Sequence, residues 1–77
     1  MTTIGELSIG DRARIAGFSS SGGGYRRKLL ALGLTRGAEI SIVRVAPMGD
    51  PVEIRVRGAS VSLRREEAAA LTVEKLP

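Results

Sequence analysis

The run from Glu39 to Arg57 limits what this chain can fold into more than any other stretch. It reads Glu-Ile-Ser-Ile-Val-Arg-Val-Ala, then Pro-Met-Gly-Asp-Pro, then Val-Glu-Ile-Arg-Val-Arg. In the second arm Val52, Ile54 and Val56 alternate with Glu53, Arg55 and Arg57, the period of two that a half-buried strand requires. The first arm is rich in β-branched residues on both faces, which predicts a strand covered on both sides. Pro47 and Pro51 each lack a backbone donor, so neither sits inside a ladder. The stretch predicts a β-hairpin closed by a stiff loop, and the other segments must cover its apolar faces.

A chain of 77 residues is read as one domain, residues 1–77, with a thin core. Only Phe18 and Tyr25 are aromatic, so that core is aliphatic. The absence of cysteine excludes disulfides and thiolate metal sites. The absence of histidine removes the usual general base and the common zinc ligand. No apolar run is long enough to cross a membrane, and Met-Thr-Thr-Ile-Gly-Glu does not begin a secretion signal. A cytoplasmic location is expected. The net charge is +4, and ten of the twelve basic residues are arginine. Arginine suits bidentate contact with phosphate or carboxylate, although such a balance is also ordinary solvated surface.

Along the chain, Thr3 caps a short helical turn to Leu7, with Glu6 three residues on and Ile4 and Leu7 on one face. Gly10-Asp11 is a turn, and Arg12 to Phe18 alternates as a strand. Ser19 to Gly24 reads as a flexible loop. Tyr25, Leu29 and Leu32 fall on one stripe of a helix from Tyr25 to Leu32, which Gly33 ends. Leu30 falls off that stripe, among the arginines. It either packs against Leu34 or stays exposed. Gly58-Ala59 is a tight turn, Ser60 to Arg64 a strand, Arg65 to Ala70 a helical turn, and Leu71 to Leu76 a closing strand. About five short strands and one or two short helices, without a βαβ unit, predict a mainly β fold, a small bent antiparallel barrel.

These residues resemble a known family. Tyr25-Arg26-Arg27-Lys28-Leu29-Leu30-Ala31-Leu32-Gly33-Leu34, then Gly37, then Val45-Ala46-Pro47-Met48-Gly49-Asp50-Pro51-Val52, then Leu63-Arg64-Arg65-Glu66-Glu67-Ala68 resemble FeoA, ferrous iron transport protein A. The Ala-Pro-x-Gly-Asp-Pro loop is the most specific piece. The resemblance runs from Leu7 to Val73. It implies an SH3-like β-barrel and a bacterial cytoplasmic accessory of ferrous iron uptake, bound to FeoB, a transporter with a membrane channel and a G-protein domain. It places the protein at the inner face of the membrane through that partner. The same module ends iron- and manganese-dependent repressors.

The residues themselves bound the alternatives. Gly22-Gly23-Gly24 precedes a helix, but no Gly-Lys-Ser/Thr follows to hold a phosphate. The carboxylates are scattered, and the adjacent Glu66 and Glu67 would not converge on a helix, so no metal-ligand set and no cofactor are read. An SH3-like groove for proline-rich ligands needs aromatics that are missing here. Arg64-Arg65 beside Glu66-Glu67 reads as a self-paired surface turn. No nucleophile stands beside a base, so no catalytic residue is assigned.

The expected function is a protein-interaction module for the FeoB-type transporter. A small basic nucleic-acid-binding barrel is the alternative, weakened by the shortage of stacking aromatics. A metal-sensing domain is a third reading, and an oligomer is compatible with the sequence. Tyr25, Arg26, Arg27 and Leu30 form the expected contact, an apolar anchor with a basic rim. Met48 offers an adaptable apolar probe. Asp50 either bonds nearby backbone to fix its loop or meets the partner at the loop tip.

Overall fold

Ile15, Ile40, Ile54 and Val73 come from four different strands and meet in one core. The computed structural model describes residues 2–19 and 24–77. Six strands form one antiparallel sheet: β1 (Thr2–Thr3), β2 (Arg12–Phe18), β3 (Glu39–Val45), β4 (Val52–Val56), β5 (Ala59–Leu63) and β6 (Leu71–Lys75). Their order is β1-β6-β2-β3-β4-β5. Two short helices are α1 (Arg26–Ala31) and α2 (Arg65–Ala69). The molecule measures 25 × 25 × 24 Å. A flat sheet faced by one layer would be far thinner than it is wide, so this sheet curls around its own core. The fold is the expected mainly β one, with a sixth strand, Thr2–Thr3, added by pairing with β6.

Alternation decides what each strand buries. Ala13 and Ile15 of β2, Ile40 and Ile42 of β3, and Val52, Ile54 and Val56 of β4 all point inward. Leu7, Leu32 and Val61 are only partly buried and pack against this core. Ile4, Leu34, Ala68, Ala70 and Leu71 are also fully inside. Ile4 belongs to a 3-10 turn, Ile4–Glu6, whose start is held by the Glu6 carboxylate. That group accepts the Thr3 backbone N–H at 2.8 Å and the Thr3 hydroxyl at 3.1 Å, as the spacing predicts. These hydrogen bonds, the backbone one foremost, hold the Glu6 pKa below its ordinary value.

Two expectations are corrected. Strand β3 is covered on one face only: Val43 is 41% exposed, next to a register shift between Ile42 and Arg44. Its β-branched run therefore reflects strand propensity at a bulge, not two-sided burial. The β4–β5 turn is Arg57-Gly58, because Val56 pairs with Ala59. Arg57 takes φ +51° and Gly58 φ +80°, the two left-handed positions of a type I′ turn. Arg57 tolerates this because its side chain is held elsewhere: Nε donates to the Gly33 carbonyl at 3.3 Å and Nη2 to Thr35 Oγ1 at 2.9 Å.

Candidate interaction surface

Helix α1 is short, and tertiary contacts fix it. Leu29 is fully buried, while Tyr25 and Leu32 flank it half-buried against the core. The C-terminus closes as a Schellman motif. Gly33 at φ +90° donates to the Leu30 carbonyl at 3.0 Å, and Leu34 N–H to the Leu29 carbonyl at 3.1 Å. That geometry carries Leu34 into the core at 0% exposure and leaves Leu30 39% exposed. Of the two fates open to Leu30, the structure shows the exposed one.

Two links lock the helix to the barrel. Arg57 holds the turn after it, as above. Lys28 Nζ lies 2.5 Å from Glu67 Oε2, and Glu67 Oε1 also accepts the Arg64 N–H at 2.8 Å. Glu67 is 4% exposed. The Lys28 hydrogen bond, then the Arg64 N–H, draw its pKa down against the opposing effect of burial. The surface turn expected to pair with itself therefore does not: its Glu67 goes to α1.

The arginines of that turn go to the Pro47–Gly49 loop. Arg65 Nη2 donates to the Met48 carbonyl at 2.6 Å, and Arg65 N–H to Asp50 Oδ1 at 3.3 Å. Arg64 Nη1 stands 3.9 Å from the same oxygen. Asp50 thus fixes its loop, but through residues of α2 distant in sequence rather than through nearby backbone. Met48 sits at φ +75° with 89% of its surface exposed. A side chain in the left-handed region costs about 1–2 kcal/mol, so the carbonyl contact from Arg65 holds a conformation that the residue itself resists.

What α1 leaves outward is Arg26, Arg27 and Leu30. Together with Gly24 they line one shallow hollow. Leu30 and Arg26 also border a second, with Gly17, Phe18 and Arg36. The Arg26 guanidinium stacks 5.4 Å from the Phe18 ring centroid, a cation–π contact. Arg36 Nε donates to the Ala16 carbonyl at 2.9 Å, which sets it on the far rim. Phe18 and Arg36 escaped sequence reasoning because the contacts that bring them here span the β2–α1 connection and a turn. Met48 and Asp50 line neither hollow, so the expected site separates into a helix face and a loop tip. Tyr25 is turned inward against the core, supporting the face from below. The Gly22–Gly23 part of the glycine run, and most of the loop read as flexible, lie outside the described residues.

Elsewhere, Arg12 pairs with Glu39, Arg14 with Glu74 and Arg44 with Glu53, so among the described residues these three are partly neutralised and offer less to a nucleic-acid backbone. Among the described residues no three of Asp, Glu, His or Cys converge on a point. No described helix is long and apolar enough to cross a membrane.

Comparison with known proteins agrees with this fold. A model of the FeoA domain matches residues 2–75. The chain is 41% identical over 71 residues to a Fe(2+) transport protein A/Fe(2+) transporter FeoB fusion protein of Porphyromonas gingivalis, covering 92% of this chain and 8% of that one. This chain thus spans a small fraction of that relative. A FeoA-like protein of Clostridium acetobutylicum superposes with a TM-score of 0.90 at 39% identity, covering 99% of this chain and 87% of that one. FeoA of Stenotrophomonas maltophilia, solved as a zinc complex and described as a procaryotic SH3 domain protein, gives 0.81 at 26% identity, covering 96% and 91%. A manganese-dependent transcriptional repressor shares the fold, with a TM-score of 0.85 at 18% identity, covering 96% of this chain and 41% of that one.

Proposed function

This chain belongs to the FeoA domain family, an SH3-like module associated with ferrous iron transport, and from that premise we propose that it binds the cytoplasmic part of a FeoB-type iron transporter through the outer face of α1. The observation that carries this reading is the relative in which the same module and FeoB share one polypeptide. Covalent fusion raises the effective concentration of two modules that meet. The contact itself is assigned to Leu30, with Arg26 and Arg27 as its rim. An apolar anchor ringed by arginine is a common centre of protein contacts. Leu30 stays exposed although it is a large apolar side chain, and the Arg27 side chain has no hydrogen bond or ion pair among the described residues.

The role is that of an accessory and not of an enzyme. Pull-down of FeoB from membrane extract, with this chain as bait, tests the reading. Binding by the wild type and its loss in Leu30→Ser/Arg27→Glu are expected. Equal capture by a folded double variant would move the contact to the Met48 loop tip.

A further inference from the structure

Strand β5 ends the sheet and, among the described residues, pairs only with β4. Its register runs Val56–Ala59, Arg55–Ser60, Ile54–Val61, Glu53–Ser62 and Val52–Leu63 without a slip. Because Arg57-Gly58 is a two-residue turn, Val56 and Ala59 form a hydrogen-bonded pair. Such pairs alternate along an antiparallel ladder. Ala59, Val61 and Leu63 therefore direct their backbone groups to β4, while Ser60 and Ser62 direct theirs to the open edge. Both serines are exposed. Edge strands ordinarily carry a lysine, a proline or a bulge that discourages pairing. Ala-Ser-Val-Ser-Leu carries none of them.

We propose that β5 pairs antiparallel with β5 of a second copy of this chain, about a two-fold axis at Val61. One register uses every outward group: Ser60 faces the partner's Ser62, and Ser62 the partner's Ser60. The axis then sets Val61 against the partner's Val61 in a close, non-hydrogen-bonded pair. In the single chain Val61 is only partly buried, so this contact covers what the fold leaves open.

Charge selects the same occupant. On the outer face, side chains follow one another across the four strands as Arg55, Ser60, the partner's Ser62 and the partner's Glu53. The Arg55 side chain has no hydrogen bond or ion pair among the described residues. Glu53 has only Arg44 Nε at 3.9 Å, and 31% of its side chain is exposed. Three strand spacings of about 4.8 Å separate the two backbones. An extended arginine and glutamate span that distance above two short serines, and the axis forms the pair twice. Two five-residue strands bury far less than the ~800 Å² per partner of a standing interface, so the dimer forms only at high concentration.

Sedimentation equilibrium of the full chain from micromolar to millimolar concentration tests this. The expected result is a weight-average mass rising above 8.1 kDa toward twice that value. Amide exchange at Ser60 and Ser62 slows over the same range, while α1 amides do not change. Ser62→Pro removes an outward donor without removing any bond to β4, and Arg55→Glu sets a carboxylate against the partner's Glu53. Each is expected to stay monomeric with its NMR sheet pattern intact. Combining Arg55→Glu with Glu53→Arg is expected to restore association. A mass constant up to millimolar overturns the proposal, including the case in which β5 pairs with a strand of another protein. So do folded variants that associate like the wild type, or concentration-dependent changes centred on α1.

Discussion

Lys28 Nζ stands 2.5 Å from Glu67 Oε2 across a separation of 39 residues, and this contact joins the helix that carries the exposed Leu30 to the helix that holds the Met48 loop. Glu67 is nearly buried while the Lys28 side chain is 62% exposed. The carboxylate is therefore the sensitive partner of the pair.

Glu67→Gln should cost about 1–2 kcal/mol at neutral pH, the low end for a charge-assisted hydrogen bond because one partner is solvated. The Glu67 pKa in the fold is held below the usual 4.5. Stability linked to a lowered carboxylate pKa is complete above the unfolded value and is lost as pH falls through the folded one. The gap in thermal midpoint between wild type and Glu67→Gln should thus be constant from neutral pH to about 5 and close below about 4. A gap that persists in acid would mean the charge is not what Glu67 contributes.

Leu29→Ala should cost about 2–5 kcal/mol, because Leu29 is fully enclosed and the core is aliphatic and thin. For a domain of this size that is a large share of total stability. Denaturant titration measures it, and an unchanged midpoint would contradict the burial of α1.

Leu30→Ser, by contrast, should leave the denaturation midpoint within about 0.5 kcal/mol of wild type, as exposed substitutions do. Combined with Arg27→Glu it should abolish iron-dependent growth in a host that relies on the transporter. Normal growth with a folded variant would remove the α1 face from consideration.

Met48→Gly should relieve a left-handed side chain of about 1–2 kcal/mol and add about 0.5–1 kcal/mol of unfolded-state freedom. The net change runs from neutral to about 1.5 kcal/mol of stabilisation. A clear fall in thermal midpoint would show that the Met48 side chain, though 89% exposed, packs in solution.

Oligonucleotide titration at low and moderate salt should give no saturable binding, since stacking aromatics are few and Arg12, Arg14, Arg44 and Arg64 face carboxylates. Binding that weakens steeply with salt would revive the nucleic-acid reading.

The sequence by itself determined five of the strands, the hairpin and the helix stripe, but not β1, which exists by pairing with β6. These depend on local periodicity, and Val52, Ile54 and Val56 could face only one way. Gly33 likewise announced the helix end, and Thr3 with Glu6 the first turn, because capping acts within one turn of chain. Only the tertiary structure decided where the polar side chains went. Its place three residues after Arg64 lets Glu67 accept that residue's N–H, yet nothing local sends its other oxygen to Lys28 and buries it while Glu66 stays exposed. Nothing local sends Arg65 to the Met48 carbonyl or Arg57 to Gly33. Long charged side chains reach across several ångströms in any direction, so their partners follow from which strands lie side by side. That arrangement is fixed by closing the sheet around its core, and together with the turn at Gly33 it left Leu30 outside and Leu34 within.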